Sequence, residues 1–273
     1  MKLRLWISTL VLLLTSTCAL GAQYSGTLGK SAISFELAND SALYFYNHYR
    51  TPIDLSAGAS SDKNTLIFIE RNAKNKPIGE FHLQIKDSKL DGYWLNVKTH
   101  AKLAVHLIQS TDLRGVMQSA SSKNRYIRVK CLNNGTRVTM IDKATDKTVQ
   151  KLMVESSSCS LFTVSIGDYN FDGFADFSTA GESFAGPNTS RNYYIYQPKK
   201  HNFQFNEQLS SLVTLRFNQQ SKIITSTNQC CAGSSISVDS YRWQKNVLKQ
   251  IEGVCYKRND NGDLVAKERK ACY

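Results

Sequence analysis

The chain has 273 residues, 41% hydrophobic and 21% charged, with 34 Lys and Arg against 22 Asp and Glu and a formal net charge of +12. That composition fits an ordinary globular protein and excludes a low-complexity chain or one built of membrane-spanning helices. The basic residues are scattered rather than gathered in a dense run, so the charge reads either as a solvated surface or as a diffuse attraction for anionic partners, not as a nucleic-acid footprint.

Residues 1–22 stand apart. Lys2 and Arg4 precede the apolar run "WISTLVLLL", and the small-residue tail "TSTCALGA" follows. This is the layout of a secretory signal peptide. The run is shorter than the roughly 20 residues needed to span a bilayer. Thr15 and Thr17 do not fit the pattern around a lipid-attachment cysteine, so cleavage after Gly21 or Ala22 is expected in preference to anchoring through Cys18. The mature chain, 23–273, then holds 32 basic and 22 acidic residues, a net charge of +10.

From there the sequence reads as strand after strand. "AISFEL", "ALYFYNHY", "TLIFIE", "EFHLQI", "YWLNVK", "KLAVHLI" and "YIRVKCL" come first. "RVTMID", "LFTVSI", "NYYIYQ", "SKIITST", "SISVDSYRW" and "VLKQIEGVCY" follow. They are rich in β-branched and aromatic residues, often alternate, and are parted by turn sequences such as "NNGT" and "NDNGD". A barrel, sandwich or propeller is expected. "NEQLSSLVTL" at 206–215, with Asn206 as cap, is the one short helix predicted. "QSASSKN" near 118–124 is a candidate seam in an otherwise single domain.

Cys131, Cys159, Cys230, Cys231, Cys255 and Cys272 remain after cleavage, and an even number in an exported chain predicts disulfides. No C-x-x-C spacing points to zinc. Cys131 and Cys159 flank hairpin-like sequence and are expected to pair. The other four are expected to pair among themselves, with Cys230 and Cys231 taking separate partners because neighbours on a strand face opposite ways.

The most informative stretch is "GDYNFDGFAD" at 167–176. Counting Asp168 as position 1, Asn170 is 3, Asp172 is 5, Gly173 is 6, Phe174 is 7 and Asp176 is 9. Calcium takes six to eight oxygens at about 2.3–2.6 Å, and alternate side chains, a backbone carbonyl and a turn-permitting glycine supply them in a curled loop. Position 12 is Thr179 rather than the Glu of an EF-hand, and strand-like sequence lies on both sides. A structural Ca2+ held by Asp168, Asn170, Asp172, the Phe174 carbonyl and Asp176 is expected.

The following "AGESFAGPNTSRNYYIY" reads as a long exposed loop braced by the metal on one side and by Tyr193, Tyr194 and Tyr196 on the other. Glu182, Gly186, Asn188, Arg191, Tyr193 and Tyr194 are its candidate partner-binding residues. None of the five histidines falls in a metalloprotease motif, and no G-x-S-x-G elbow is present, so no catalytic residue is predicted. "NGT" at 134–136 and "NTS" at 188–190 match the N-glycosylation triplet.

Three segments together resemble a known family: "YSGTLGKSAISFEL…YFYNHYRTPIDL", then "GDYNFDGFADF" with "YYIYQPKKHNFQFNEQLSSL", then "SYRWQKNVLKQIE". They are similar to the periplasmic, calcium-binding, β-propeller-like immunity proteins of bacterial-killing secretion systems, which themselves resemble periplasmic lysozyme inhibitors. The resemblance implies an all-β, β-propeller-like single domain of many short antiparallel strands, without enzymatic activity. It also implies a periplasmic location, and a loop inserted into the active-site cleft of a peptidoglycan-cleaving, lysozyme-like effector, with Arg191 able to pair with its carboxylates. The Ser-Gly-x-x-Tyr signature of some lysozyme inhibitors does not occur at 181–194. A secreted, calcium-stabilised module binding glycan or an envelope protein is the alternative.

Overall fold

The computed structural model describes residues 22–272 except 39–40, 61, 63, 111–115, 133, 158, 160–162 and 185. The leader expected over 1–22 therefore lies outside the described residues, apart from Ala22. Among the described residues no helix is long and apolar enough to cross a membrane.

The chain is all-β. Its first eight strands are β1 (Ala22–Leu28), β2 (Ser31–Ala38), β3 (Ser41–Tyr46), β4 (Ile53–Ala57), β5 (Thr65–Arg71), β6 (Pro77–Lys86), β7 (Lys89–Asn96) and β8 (Lys102–Gln109). They run up and down in sequence order and close into a barrel where β1 pairs with β8, from Tyr24 opposite Gln109 to Leu28 opposite Val105. Gly26 lies at that seam, and a Cβ there would collide with the carbonyl oxygen of His106. Phe35, Tyr44, Phe68 and Phe81 fill the interior edge to face, with Leu83, Leu90, Val105 and Leu107 around them.

Three antiparallel meanders follow, each the kind of small sheet that makes a propeller blade. The second sheet holds β9 (Val116–Ser121), β10 (Arg125–Leu132), β11 (Gly135–Asp142) and β12 (Thr148–Val154). The third holds β13 (Val164–Gly167), β14 (Asp176–Ser183), β15 (Thr189–Gln197) and β16 (Asn202–Phe205), and the fourth runs from β17 (Leu215–Asn218) through β18 (Ile223–Cys230), β19 (Ser235–Gln244) and β20 (Val247–Arg258) to β21 (Leu264–Glu268). The candidate seam near 118–124 falls on the end of β9 and the turn into β10. The predicted helix is one turn, α1 (Glu207–Ser210), with the Asn206 side chain accepting from the Leu209 N–H as expected. The remainder of that segment enters β17 instead, after Thr214 takes a positive φ of 47°.

Two strands show how the sheets join. In β3, Ala42 to Phe45 are all buried. Ala42 and Tyr44 face the barrel core, while Leu43 and Phe45 face the next cluster, with Ile127, Val129, Val138, Met140, Phe177 and Tyr194. In β15, Tyr193 and Ile195 pack toward the fourth sheet, and Tyr194 and Tyr196 pack toward the second. A strand covered on both faces reads as a continuous apolar run rather than an alternation. Buried polar links reinforce the barrel junction: the Arg128 guanidinium donates to Gln23 and to Glu36, the latter fully buried at 3.3 Å. Arg50 pairs with Asp146 at 2.6 Å and lies over the Tyr126 ring.

The Cys131–Cys159 bridge forms as expected. Cys255 pairs with Cys272, but Cys230 and Cys231 pair with each other rather than taking separate partners. The opposite-faces rule fails because β18 ends at Cys230: that residue is extended, while Cys231 has φ +57°, so the chain turns between the two side chains.

Candidate functional site

The loop at 167–176 alternates inward and outward. Tyr169 and Phe171 are buried among Tyr193, Ile195, Leu209 and Ile224, which leaves Asp168, Asn170 and Asp172 on the outer side. The aromatic residues thus anchor what the oxygens shape. Asp168 curls the loop by accepting from the backbone N–H groups of Asp172 (3.1 Å) and Gly173 (2.9 Å). Asp172 accepts from the Phe174 N–H at 2.9 Å and from the Asn170 side-chain amide at 2.8 Å. Gly173 takes φ +88°, a region other residues enter at a cost. The fourth sheet holds the backbone from behind: Gln219 donates to the Asp168 carbonyl, Lys222 to that of Phe171 and the Trp243 indole to that of Tyr169.

Asp176 differs from the other loop acids. It is fully buried, and its two oxygens accept from the N–H of Tyr169 and the N–H of Tyr196, each at 2.8 Å. Burial pushes its carboxyl up to about 7, against those two hydrogen bonds, with the negative charges of Asp172 and Asp168 adding to the rise. The donor set is oxygen only, the chemistry of a hard cation. Among the described residues no group of three or more His, Cys, Asp or Glu side chains is gathered at metal-holding range. A cation here would therefore depend on the Asn170 amide and the Phe174 carbonyl as well as on carboxylates, as the position count implies.

The long exposed loop expected over 180–196 is instead a hairpin, β14 and β15, with only 184–188 between the strands. Glycines at 181 and 186 and Pro187 suggest a loop, but Gly181 faces β15 so closely that a Cβ would strike Ser190. The six candidate partner residues divide accordingly. Glu182 and Gly186 are exposed near the tip. Asn188 is a clamp: its side chain donates to the Gln229 carbonyl and the Asn228 side chain and accepts from the Gln229 N–H, at 2.9–3.0 Å. Arg191 is turned into its own sheet, donating to Ser178 and Ser165 rather than standing ready for a partner's carboxylates. Tyr193 and Tyr194 are 3% and 7% exposed and belong to the two cores.

Two depressions flank the hairpin. One of about 510 Å3 lies beside the loop, lined by Asn170, Asp172, Tyr196, Lys199, Lys200 and Trp243. Another of about 590 Å3 runs along the tip, where Glu155, Glu182, Phe184, Phe205 and Glu207 meet. Linear reading missed Glu155, Phe205 and Glu207, which carry no motif and come from just after β12, from β16 and from α1, and it missed Trp243, a fourth-sheet residue whose role is set by contact alone.

No family model and no curated protein sequence matches the chain. Among solved structures it is similar to a Xanthomonas type IV secretion system related protein, with 13% identity over 90% of this chain and 92% of that one and a TM-score of 0.33. It is similar also to a functionally unknown protein from Desulfotomaculum acetoxidans DSM 771, at 8% identity, 90% and 78% coverage and a TM-score of 0.32. A third is the β-propeller domain of the Trilobed protease from Pyrococcus furiosus, at 8% identity, 90% and 71% coverage and a TM-score of 0.25. At TM-scores this low the resemblances bear on neither the site nor its chemistry.

Proposed function

We propose that the mature chain is a non-catalytic periplasmic immunity protein that inhibits a peptidoglycan-cleaving, lysozyme-like effector by presenting the β14–β15 tip to its active-site cleft. The observation that carries this reading is the position of Asp176. One buried carboxylate holds the backbone of the loop at Tyr169 and of β15 at Tyr196, so loop and hairpin move as one piece whose far end is exposed. A hairpin whose base is fixed before binding presents its far end to a concave site at small entropic cost. Within this proposal a calcium ion is held by Asp168, Asn170, Asp172 and the Phe174 carbonyl, with Asp176 behind. Its role is to neutralise crowded carboxylates and stiffen the base of the hairpin; it takes part in no reaction.

The test is inhibition of a cognate effector acting on purified sacculi. Added mature protein should stop release of soluble fragments. Gly186→Arg should abolish that effect while leaving the melting temperature unchanged, because a Cβ at Gly186 meets nothing within 4 Å. Full inhibition by Gly186→Arg removes the tip from the interface.

The depression of about 510 Å3, with Trp243 and Tyr196 beside Lys199 and Lys200, favours a second reading as a glycan-binding module. Retention on sacculi without any effector, lost in Trp243→Ala, would support it; absence of retention would remove it.

A further inference from the structure

We propose that the groove along the β14–β15 tip docks a protein segment in which basic side chains alternate with apolar ones. Its walls come from three stretches of the chain. Glu155 follows β12, Glu182 and Phe184 belong to the hairpin, and Glu207 opens α1 with Phe205 just before it. The groove continues past Glu155 and Phe205 into a smaller depression of about 370 Å3 that includes Met153. Phe184, Phe205 and Met153 are 43%, 53% and 54% exposed. Large apolar side chains gathered at one exposed site mark a surface that another molecule covers.

Charge identifies that molecule's chemistry. Among the described residues no ion pair involves Glu155, Glu182 or Glu207, and no Lys or Arg lines either depression. This is an acidic strip on a chain in which Lys and Arg outnumber Asp and Glu 34 to 22. The three carboxylates do not form a metal-holding group, so they suit separated cationic side chains rather than one ion. Anionic glycan and nucleic acid would be repelled. The chain as a whole is strongly net positive. For a cationic partner, that same overall charge is screened beyond about 8 Å at physiological ionic strength, while the groove's carboxylates act within contact range.

The groove is also held in shape. The Glu155 carbonyl accepts from Thr179 and from the Asn192 side chain, the Glu182 carbonyl accepts from Ser190, and Glu207 stands on a turn capped by Asn206. A docking surface fixed before contact loses little entropy on binding. The inference deepens the inhibitor reading: it rests on that reading for the partner being a hydrolase, not for the groove itself.

The probe is a fluorescent hexapeptide alternating arginine and phenylalanine, titrated into the mature protein and followed by anisotropy. It should bind, and high salt should weaken it. The triple change Glu155→Gln, Glu182→Gln, Glu207→Gln should weaken it at least tenfold, as should Phe184→Ser with Phe205→Ser. Glu252→Gln, on exposed β20, should leave it unchanged. Melting curves report folding, and the single exposed change Glu182→Lys supplies a second measurement if the triple variant does not fold. Unchanged binding by the triple variant or by Glu182→Lys would overturn the groove. So would equal binding of a glutamate–phenylalanine peptide, or a dimer in sedimentation that the triple variant abolishes. A groove that binds the peptide in a protein that inhibits no hydrolase stands without the inhibitor reading. Inhibition that survives the triple variant leaves the inhibitor reading and removes the groove from its interface.

Discussion

The barrel and the three open sheets reach stability by different routes. The barrel closes on itself, pairs every strand on both sides and encloses a cluster of interlocked aromatic rings. All three disulfides lie in the other half, as do the Asp176 bonds to Tyr169 and Tyr196, the Asn188 clamp and the Trp243 contact to the loop. A closed sheet leaves no edge to protect, whereas short open sheets leave edges and here are tied to one another. The candidate site sits in the tied half, where specific polar links set the geometry.

The largest effect is expected in the barrel: Phe81→Ala removes a fully buried ring packed on Phe35 and Tyr44 and should cost about 3–5 kcal/mol in urea denaturation. In the tied half, Cys131→Ser with Cys159→Ser opens a closure spanning 28 residues and should cost about 3–4 kcal/mol. Amide exchange should then rise in β10 to β14 before it rises in β1 to β8; simultaneous rise would show that the halves are not distinct. Chelation should act next. If calcium is present at 100 times its dissociation constant, its removal costs about 2.7 kcal/mol, so the melting temperature should fall in the wild type and not in Asp172→Ala. A melting curve indifferent to chelator would remove the calcium proposal. Asn188→Ala, which deletes the clamp on Gln229, should cost about 1 kcal/mol and loosen the tip, read as faster exchange at the Gln229 amide.

The smallest effect concerns the junction of the two regions. Asp146 is held below the usual carboxylate range by the Tyr126 hydroxyl and by Arg50. A lowered folded pKa gives stability that is present above the unfolded value and lost as pH falls through the folded one. Acidification below the ordinary carboxylate range should therefore weaken the Arg50 contact slightly in the wild type, while Asp146→Asn should show no such step. Equal pH profiles would mean that the pair does not couple the regions.

Alternation and β-branched content made the buried strands legible, because a strand with one dry face records that face in its sequence. Strands such as β4, "IDLSA", and β21, "LVAKE", escaped because four of five and all five residues respectively are not buried, so no pattern is imposed. The loop spacing at 168–176 was legible because its turn is local. The hairpin after it was not: Gly181 suggests flexibility in sequence but serves close approach to Ser190 in space. The Cys230–Cys231 bridge escaped because the turn after β18 depends on positive φ at Cys231, which no residue type there announces. Glu155, Glu182 and Glu207 meet only through the fold.

The clamp at Asn188 has a practical consequence for making the protein. Asn188 opens the triplet Asn-Thr-Ser, and its side-chain nitrogen donates to both the Gln229 carbonyl and the Asn228 side chain. A sugar attached there would replace one of that nitrogen's two hydrogens and wedge a bulky group between the hairpin and β18. Expression in a host that glycosylates exported chains should therefore yield a molecule with a displaced corner, and material from a non-glycosylating host is the proper standard for every measurement on the tip.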